Sequence, residues 1–158
     1  MEVQEIIIIG GGLIGAVIAV ALARHNIPSV ILDQRDITNP PTTPDHRGIA
    51  ITAFSAEWLA EYGLWQNIAE KAGKISHIHI TDHDHPLFLD FTIDDLYSGP
   101  NFSAEAMGYM VPAGSLQRDI WQASENHPLI TKICPVEIVD IDAGAAKVAL
   151  ADGREIQG

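Results

Sequence analysis

The chain opens on short apolar runs set between glycine and proline breaks. Residues 6–9 are Ile6-Ile7-Ile8-Ile9, four β-branched residues that predict a strand buried on both faces in a parallel sheet. Gly10-Gly11-Gly12 follow. Residues 13–25 then read as a helix, with alanines at 16, 19, 21 and 23 that let it lie close to a sheet. Asn26 can take the left-handed cap conformation and Pro28 prevents continuation. Residues 29–33 read as a second buried strand, so residues 6–33 predict one βαβ unit.

Beyond it, residues 38–44 carry three prolines and three threonines and read as an irregular loop. Residues 48–52 form a short apolar segment. Residues 53–62 predict a helix stopped by Gly63, and residues 64–72 a second short helix stopped by Gly73. Residues 75–81 and 87–92 alternate apolar and polar positions, the pattern of antiparallel strands with one wet face. Residues 94–106 read as a loop, 109–111 as a strand and 115–125 as a helix capped near Gly114 or Ser115. Residues 130–156 are strand-like. Asp142-Ala143-Gly144-Ala145 and Asp152-Gly153 mark tight turns between their strands.

Composition narrows the classes. A 158-residue chain with 47% hydrophobic residues can build a core of one ordinary domain. Nine basic against 21 acidic residues give a formal charge of −12, a surface that repels nucleic-acid phosphates and anionic lipid. The single cysteine, Cys134, excludes an intrachain disulfide and reads as a small buried hydrophobe. Residues 6–23 are uncharged and long enough to suggest a membrane span, but the glycine triplet breaks that reading. Residues 1–5 are acidic, unlike the basic start of a signal peptide. A cytoplasmic protein is the expectation.

The strongest motif is Gly10-Gly11-Gly12-Leu13-Ile14-Gly15, which contains G-x-G-x-x-G. It follows a predicted strand, opens a predicted helix, and has Asp33 at the end of the next strand, the context of a dinucleotide fingerprint. Gly10 permits the tight turn. Gly12 leaves room for a pyrophosphate against the backbone. Gly15 lets helix and strand pack. The N–H groups opening the helix, at Leu13 and Ile14, favour the pyrophosphate charge together with the helix dipole. Asp33 is placed to accept hydrogen bonds from a ribose hydroxyl. It disfavours a 2′-phosphate there, an argument that nearby Arg35 softens. The unit alone does not separate FAD from NAD.

A second set of residues does. Asp45-His46-Arg47-Gly48-Ile49-Ala50-Ile51, followed by Ser55, Leu59 and Gly63-Leu64-Trp65, resembles a stretch of the ubiquinone-biosynthesis hydroxylases. These are FAD-dependent aromatic hydroxylases of the para-hydroxybenzoate hydroxylase type. Met107-Gly108-Tyr109-Met110-Val111 and Leu116-Gln117-Arg118-Asp119-Ile120 resemble later segments of the same family, in order. The resemblance implies that Arg47 contacts FAD, a task suited to a planar, permanent cation. One position departs: a polar residue common in the family after the Gly-Tyr strand is Ala113 here, so no flavin contact is assigned to that segment. The family's second and third flavin motifs fall beyond Gly158, so the chain reads as the amino-terminal part of a longer enzyme, inactive by itself.

The resemblance thus implies an α/β fold: a Rossmann-like FAD-binding βαβ domain with an inserted antiparallel portion of a substrate domain. Residues 1–74 would be FAD-binding, 75–111 substrate-side, and 112–158 a return to the FAD domain. The implied activity is monooxygenation of a prenylphenol in ubiquinone biosynthesis, with NAD(P)H and O2 as co-substrates. It admits a place peripheral to the inner membrane or in a complex of ubiquinone-synthesis enzymes. The alternatives are another FAD oxidoreductase, of amine or hydroxy-acid oxidase type, and a non-catalytic dinucleotide-binding module.

Other clusters carry less. His77, His79, His83 and His85 lie near Asp82, Asp84 and Asp90, residue types that bind zinc. Strand spacing puts His77 and His79 on one face but shows no convergence of ligands, so the expectation is a wet strand face and no metal. Trp58, Trp65 and Trp121 read as packing residues, and Ser115 and Ser124 lack the context of a hydrolase nucleophile. No residue is assigned as a catalytic acid or base.

Overall fold

The computed structural model describes residues 6–38, 45, 47–83, 86–95, 105–125 and 127–158. Residues 39–44 of the loop expected at 38–44, most of the loop expected at 94–106, and His46, Asp84 and His85 lie outside the described residues. In chain order the elements are β1 (Ile6–Ile9), α1 (Leu13–Arg24), β2 (Ser29–Leu32), β3 (Gly48–Thr52), α2 (Ala53–Glu61) and the single turn α3 (Gln66–Ala69). Then come β4 (Gly73–Ile75), β5 (His77–Thr81), β6 (Phe88–Thr92), a 3-10 turn (Ile93–Asp95), β7 (Gly108–Pro112) and α4 (Ala113–Ser124). Strands β8 (Ile130–Ile133), β9 (Ile138–Asp142), β10 (Lys147–Leu150) and β11 (Glu155–Gln157) complete the order. The chain forms two compact units, Met1–Pro44 with Leu116–Gly158, and Asp45–Ser115.

The first unit is built on a parallel sheet in the order β1-β2-β8. Ile6 pairs with Ser29 and Ile9 with Leu32, and β2 pairs in turn with β8 from Ser29↔Ile130 to Leu32↔Ile133. Strand β2 is buried along its length. Strand β1 is not: Ile8 is buried, whereas Ile6 and Ile9 are 45% and 50% exposed. This corrects the expectation of a strand buried on both faces. The cause is position, since among the described residues β1 is paired on one side alone and an isoleucine run does not specify which strand is central.

Helix α1 contacts all three strands through buried Ala16, Ala19, Val20 and Ala23. These small side chains bring helix and sheet together. Asn26 ends the helix in the left-handed conformation, φ 58°, and the Ile27 N–H donates to the Leu22 carbonyl at 3.0 Å. Val30 and Leu32 pack instead with Val136, Val148 and Leu150, joined by Ile7, Ile133, Ile138 and Ile156. This core joins the parallel sheet to the antiparallel sheet β11-β10-β9. Its hairpin turns form where expected. Asp142 Oδ1 accepts N–H bonds from Gly144 and Ala145, both at 3.0 Å, and Gly153 takes φ 88°.

The second unit holds the antiparallel sheet β3-β7-β4 and the hairpin β5-β6. Thr52 caps α2, its side chain accepting the Ser55 N–H at 3.1 Å. The helix expected over residues 64–72 is only the turn α3, after which the Lys71 and Ala72 N–H groups turn back to the Ile68 and Ala69 carbonyls, and β4 begins at Gly73, paired with β7. Trp58 and Trp65 are half-buried and Trp121 is buried, as packing residues should be. Cys134, expected to be buried, is half-buried and free. It lies just past β8, where the chain leaves the sheet. Among the described residues no helix is long and apolar enough to cross a membrane. The uncharged run 6–23 resolves into strand, turn and helix.

Candidate dinucleotide site

The glycine turn lies between β1 and α1. Gly10 has φ 99°, a conformation that side chains resist, and its N–H extends the ladder to the Leu32 carbonyl at 2.8 Å. Gly12 is the N-cap of α1 and has no side-chain cap, and the first helical turn carries no acidic residue. The first N–H groups of a helix have no partner inside it, so this uncapped end is suited to an anion. Half-buried Leu13 and exposed Ile14 begin the helix. A Cβ on Gly15 would collide with the Gly10 carbonyl oxygen and stand 3.2 Å from Ile8 Cγ2. A Cβ on Gly12 would meet only Arg35 Nη2, at 3.9 Å. Gly15 is therefore required by packing, and Gly12 faces open space.

Asp33 follows β2 and is 7% exposed. Its Oδ2 accepts the Gly11 N–H at 2.7 Å, and its Oδ1 accepts the Arg35 N–H at 2.8 Å. The Arg35 Nε lies 3.4 Å from the same Oδ1. Burial alone would raise the Asp33 pKa, but the Arg35 and Gly11 N–H donors and the Arg35 charge outweigh it and hold the carboxyl below its ordinary value. The carboxylate thus fixes the glycine turn from the side of β2.

The opposite end of the same residue is fixed by α4. The buried Trp121 indole N–H donates to the Gly11 carbonyl at 2.9 Å, and the Ser124 hydroxyl donates to the Trp121 carbonyl at 2.8 Å. Gly11 is therefore held at its N–H by Asp33 and at its carbonyl by Trp121. Beyond Asp33, a groove of about 380 Å³ is lined by Gln34, Pro135, Val136 and Glu137. The Val136 N–H donates to the Asp33 carbonyl at 2.9 Å. This is the carboxyl end of the parallel strands, where open α/β sheets bind their ligands.

Six of the residues singled out in the sequence, Gly10, Gly12, Leu13, Ile14, Gly15 and Asp33, meet in this one place. Arg47 belongs to the second unit, just before β3. Its guanidinium is paired with Asp45, Nη2 to Oδ2 at 2.7 Å, and is 83% exposed, and the pairing raises its pKa. The flavin contact assigned to it rests on the resemblance. Sequence reasoning missed two residues: Trp121, for which a separation of 110 positions left no signal, and Arg35, weighed only as a nearby charge although it reaches over the turn.

A parallel βαβ unit with a glycine turn, an uncapped helix start and an acidic residue after the second strand defines a dinucleotide-binding protein of the Rossmann class. The family model described as FAD binding domain matches residues 3–134, and the chain belongs to that family. Its cofactor is therefore FAD. It is 28% identical over 159 residues to ubiquinone hydroxylase UbiL of Rhodospirillum rubrum, covering 99% of this chain and 35% of that protein. It is 27% identical over 138 residues to 3-demethoxyubiquinol 3-hydroxylase of Escherichia coli, covering 85% of this chain and 34% of that protein. The resemblance to ubiquinone-biosynthesis hydroxylases read from the motifs thus holds. The chain spans about a third of the length of these relatives. Among solved structures, the Diels-Alderase PyrE3 matches with a TM-score of 0.74 at 19% identity, over 98% of this chain and 31% of that one. That likeness concerns the fold alone.

Proposed function

We propose that this chain supplies the FAD-cradling part of a monooxygenase that hydroxylates a prenylphenol in ubiquinone biosynthesis, with NAD(P)H as reductant and O2 as oxygen source. The observation that carries the cofactor half of this reading is the fixed Gly11 residue beneath an uncapped helix start. The N–H groups opening α1, after Gly12, would hold the pyrophosphate. Asp33 retains unfilled lone pairs toward a ribose hydroxyl. The groove lined by Pro135 and Val136 would take the adenine, and Arg35, 69% exposed above the turn, would offset the phosphate charge. Arg47 would reach the flavin, as the resemblance implies. FAD supplies the redox chemistry when bound, and the residues described here bind and orient it.

The substrate half rests on the likeness to the two ubiquinone-pathway hydroxylases, which extends over most of this chain. A prenylated substrate would favour a cytoplasmic enzyme working at the periphery of the inner membrane. The fold does not choose the reaction by itself, so the test must be chemical. The polypeptide carrying these residues, loaded with FAD, should consume NAD(P)H in air faster when a prenylphenol is added, and yield the hydroxylated ring. Flavin binding with no prenylphenol-dependent product would retain the cofactor reading and remove the substrate reading.

A further inference from the structure

The hairpin β5-β6 has two unlike faces. Cross-strand pairs share a face, and Ile78↔Phe91 and Ile80↔Leu89 make one of them apolar. The other carries His77↔Thr92 and His79↔Asp90. Strand parity puts the two histidines on that face, and the register sets Asp90 directly against His79. His77 Nε2 lies 2.7 Å from Asp90 Oδ1, and His79 Nδ1 lies 2.6 Å from the same oxygen. The three atoms all fall within 4.8 Å of one another. This is the convergence that sequence spacing could not show.

We propose that His77, His79 and Asp90 form a three-ligand site for a divalent transition metal of the zinc class. Two imidazole nitrogens and one carboxylate oxygen are the donors such an ion takes, with a fourth position left to water or an outside ligand. The two imidazoles favour zinc, copper or nickel over magnesium and calcium, which take oxygen donors. Tetrahedral bonds of about 2.0–2.2 Å separate ligand atoms by about 3.3 Å. The two contacts to Asp90 Oδ1 therefore need to open by well under an ångström. All three side chains are partly exposed, at 54%, 50% and 37%, and can turn to admit the ion. Bound there, the metal would join β5 to β6.

The test is zinc binding to the 158-residue chain, expressed without a histidine tag and dialysed against micromolar zinc. One equivalent should be retained, and cobalt in its place should give the visible absorption of a tetrahedral site. His77→Ala, His79→Ala and Asp90→Asn should each weaken binding at least about tenfold, the lower end of what losing even an outer-shell partner costs. His83→Ala and His25→Ala should leave it unchanged. On the unaltered chain, zinc should shift the ring resonances of His77 and His79 and spare that of His127. That readout does not depend on any variant folding. Absence of retained zinc, or zinc retained equally by the three variants, or shifts confined to other histidines, would overturn the site.

Discussion

The Trp121 indole N–H donates to the Gly11 carbonyl at 2.9 Å across 110 residues of chain, inside the protein. Ser124 in turn holds the Trp121 carbonyl from one turn further along α4. The glycine turn that faces the cofactor is thus set by a tryptophan behind it. Trp121→Phe keeps most of the packing and leaves the Gly11 carbonyl without its donor. An unsatisfied buried acceptor costs about 1–3 kcal/mol, so urea unfolding should show a loss of that order. ADP affinity should fall as well. Unchanged stability and affinity would mean that the bond does not shape the turn.

Asp33 gives a dependence on pH. Its folded pKa is held below the ordinary 3.8, so the unfolded chain binds the proton more readily. The stability it contributes is fully present above 3.8 and is lost as pH falls through the lower folded value. Asp33→Asn should unfold more readily at neutral pH and show a shallower loss of stability on acidification over that window. Parallel acid-unfolding curves for the two proteins would detach Asp33 from the fold.

Gly15 and Gly12 should separate packing from binding. Gly15→Ala drives a methyl against the Gly10 carbonyl, an overpacking that costs about 1–3 kcal/mol, so its melting temperature should drop. Gly12→Val has room for its Cβ in the folded chain, with the flexible end of Arg35 as the one neighbour within 4 Å, and should melt close to the parent while losing nucleotide. Thermal melts run beside ADP titrations distinguish the two effects.

Arg35 should act through charge. Arg35→Ala should weaken ADP roughly two- to fivefold, the range of an exposed ion pair, and the difference should shrink as salt is raised. Equal affinities at low salt would place Arg35 outside the site.

What the sequence made legible was local. The turn and Asp33 are 22 positions apart within one βαβ unit, a separation that the fingerprint spans. The spacing of Leu116, Ile120, Trp121 and Ser124, all buried, shows that α4 turns Trp121 inward, but not which backbone group it meets. The isoleucines of β1 carry no mark of how that strand is paired, because hydrophobicity does not encode strand order. The histidines of β5 could be placed on one face by parity. Bringing Asp90 opposite His79 needed the register between β5 and β6, which a connection longer than two residues does not set from sequence. Arg35 was visible as a charge, and its reach over Gly12 is a matter of rotamer.

The central claim is that the turn around Gly11 is the seat of the dinucleotide pyrophosphate. Calorimetric titration of ADP and of FAD into the chain and into Gly12→Val tests it most directly, with circular dichroism to confirm that the variant is folded. The account expects both nucleotides to bind the parent at a single competing site, and the folded variant to lose at least about tenfold of that affinity, since a branched side chain takes the place of the phosphates. A folded Gly12→Val chain that binds ADP and FAD as tightly as the parent would contradict it.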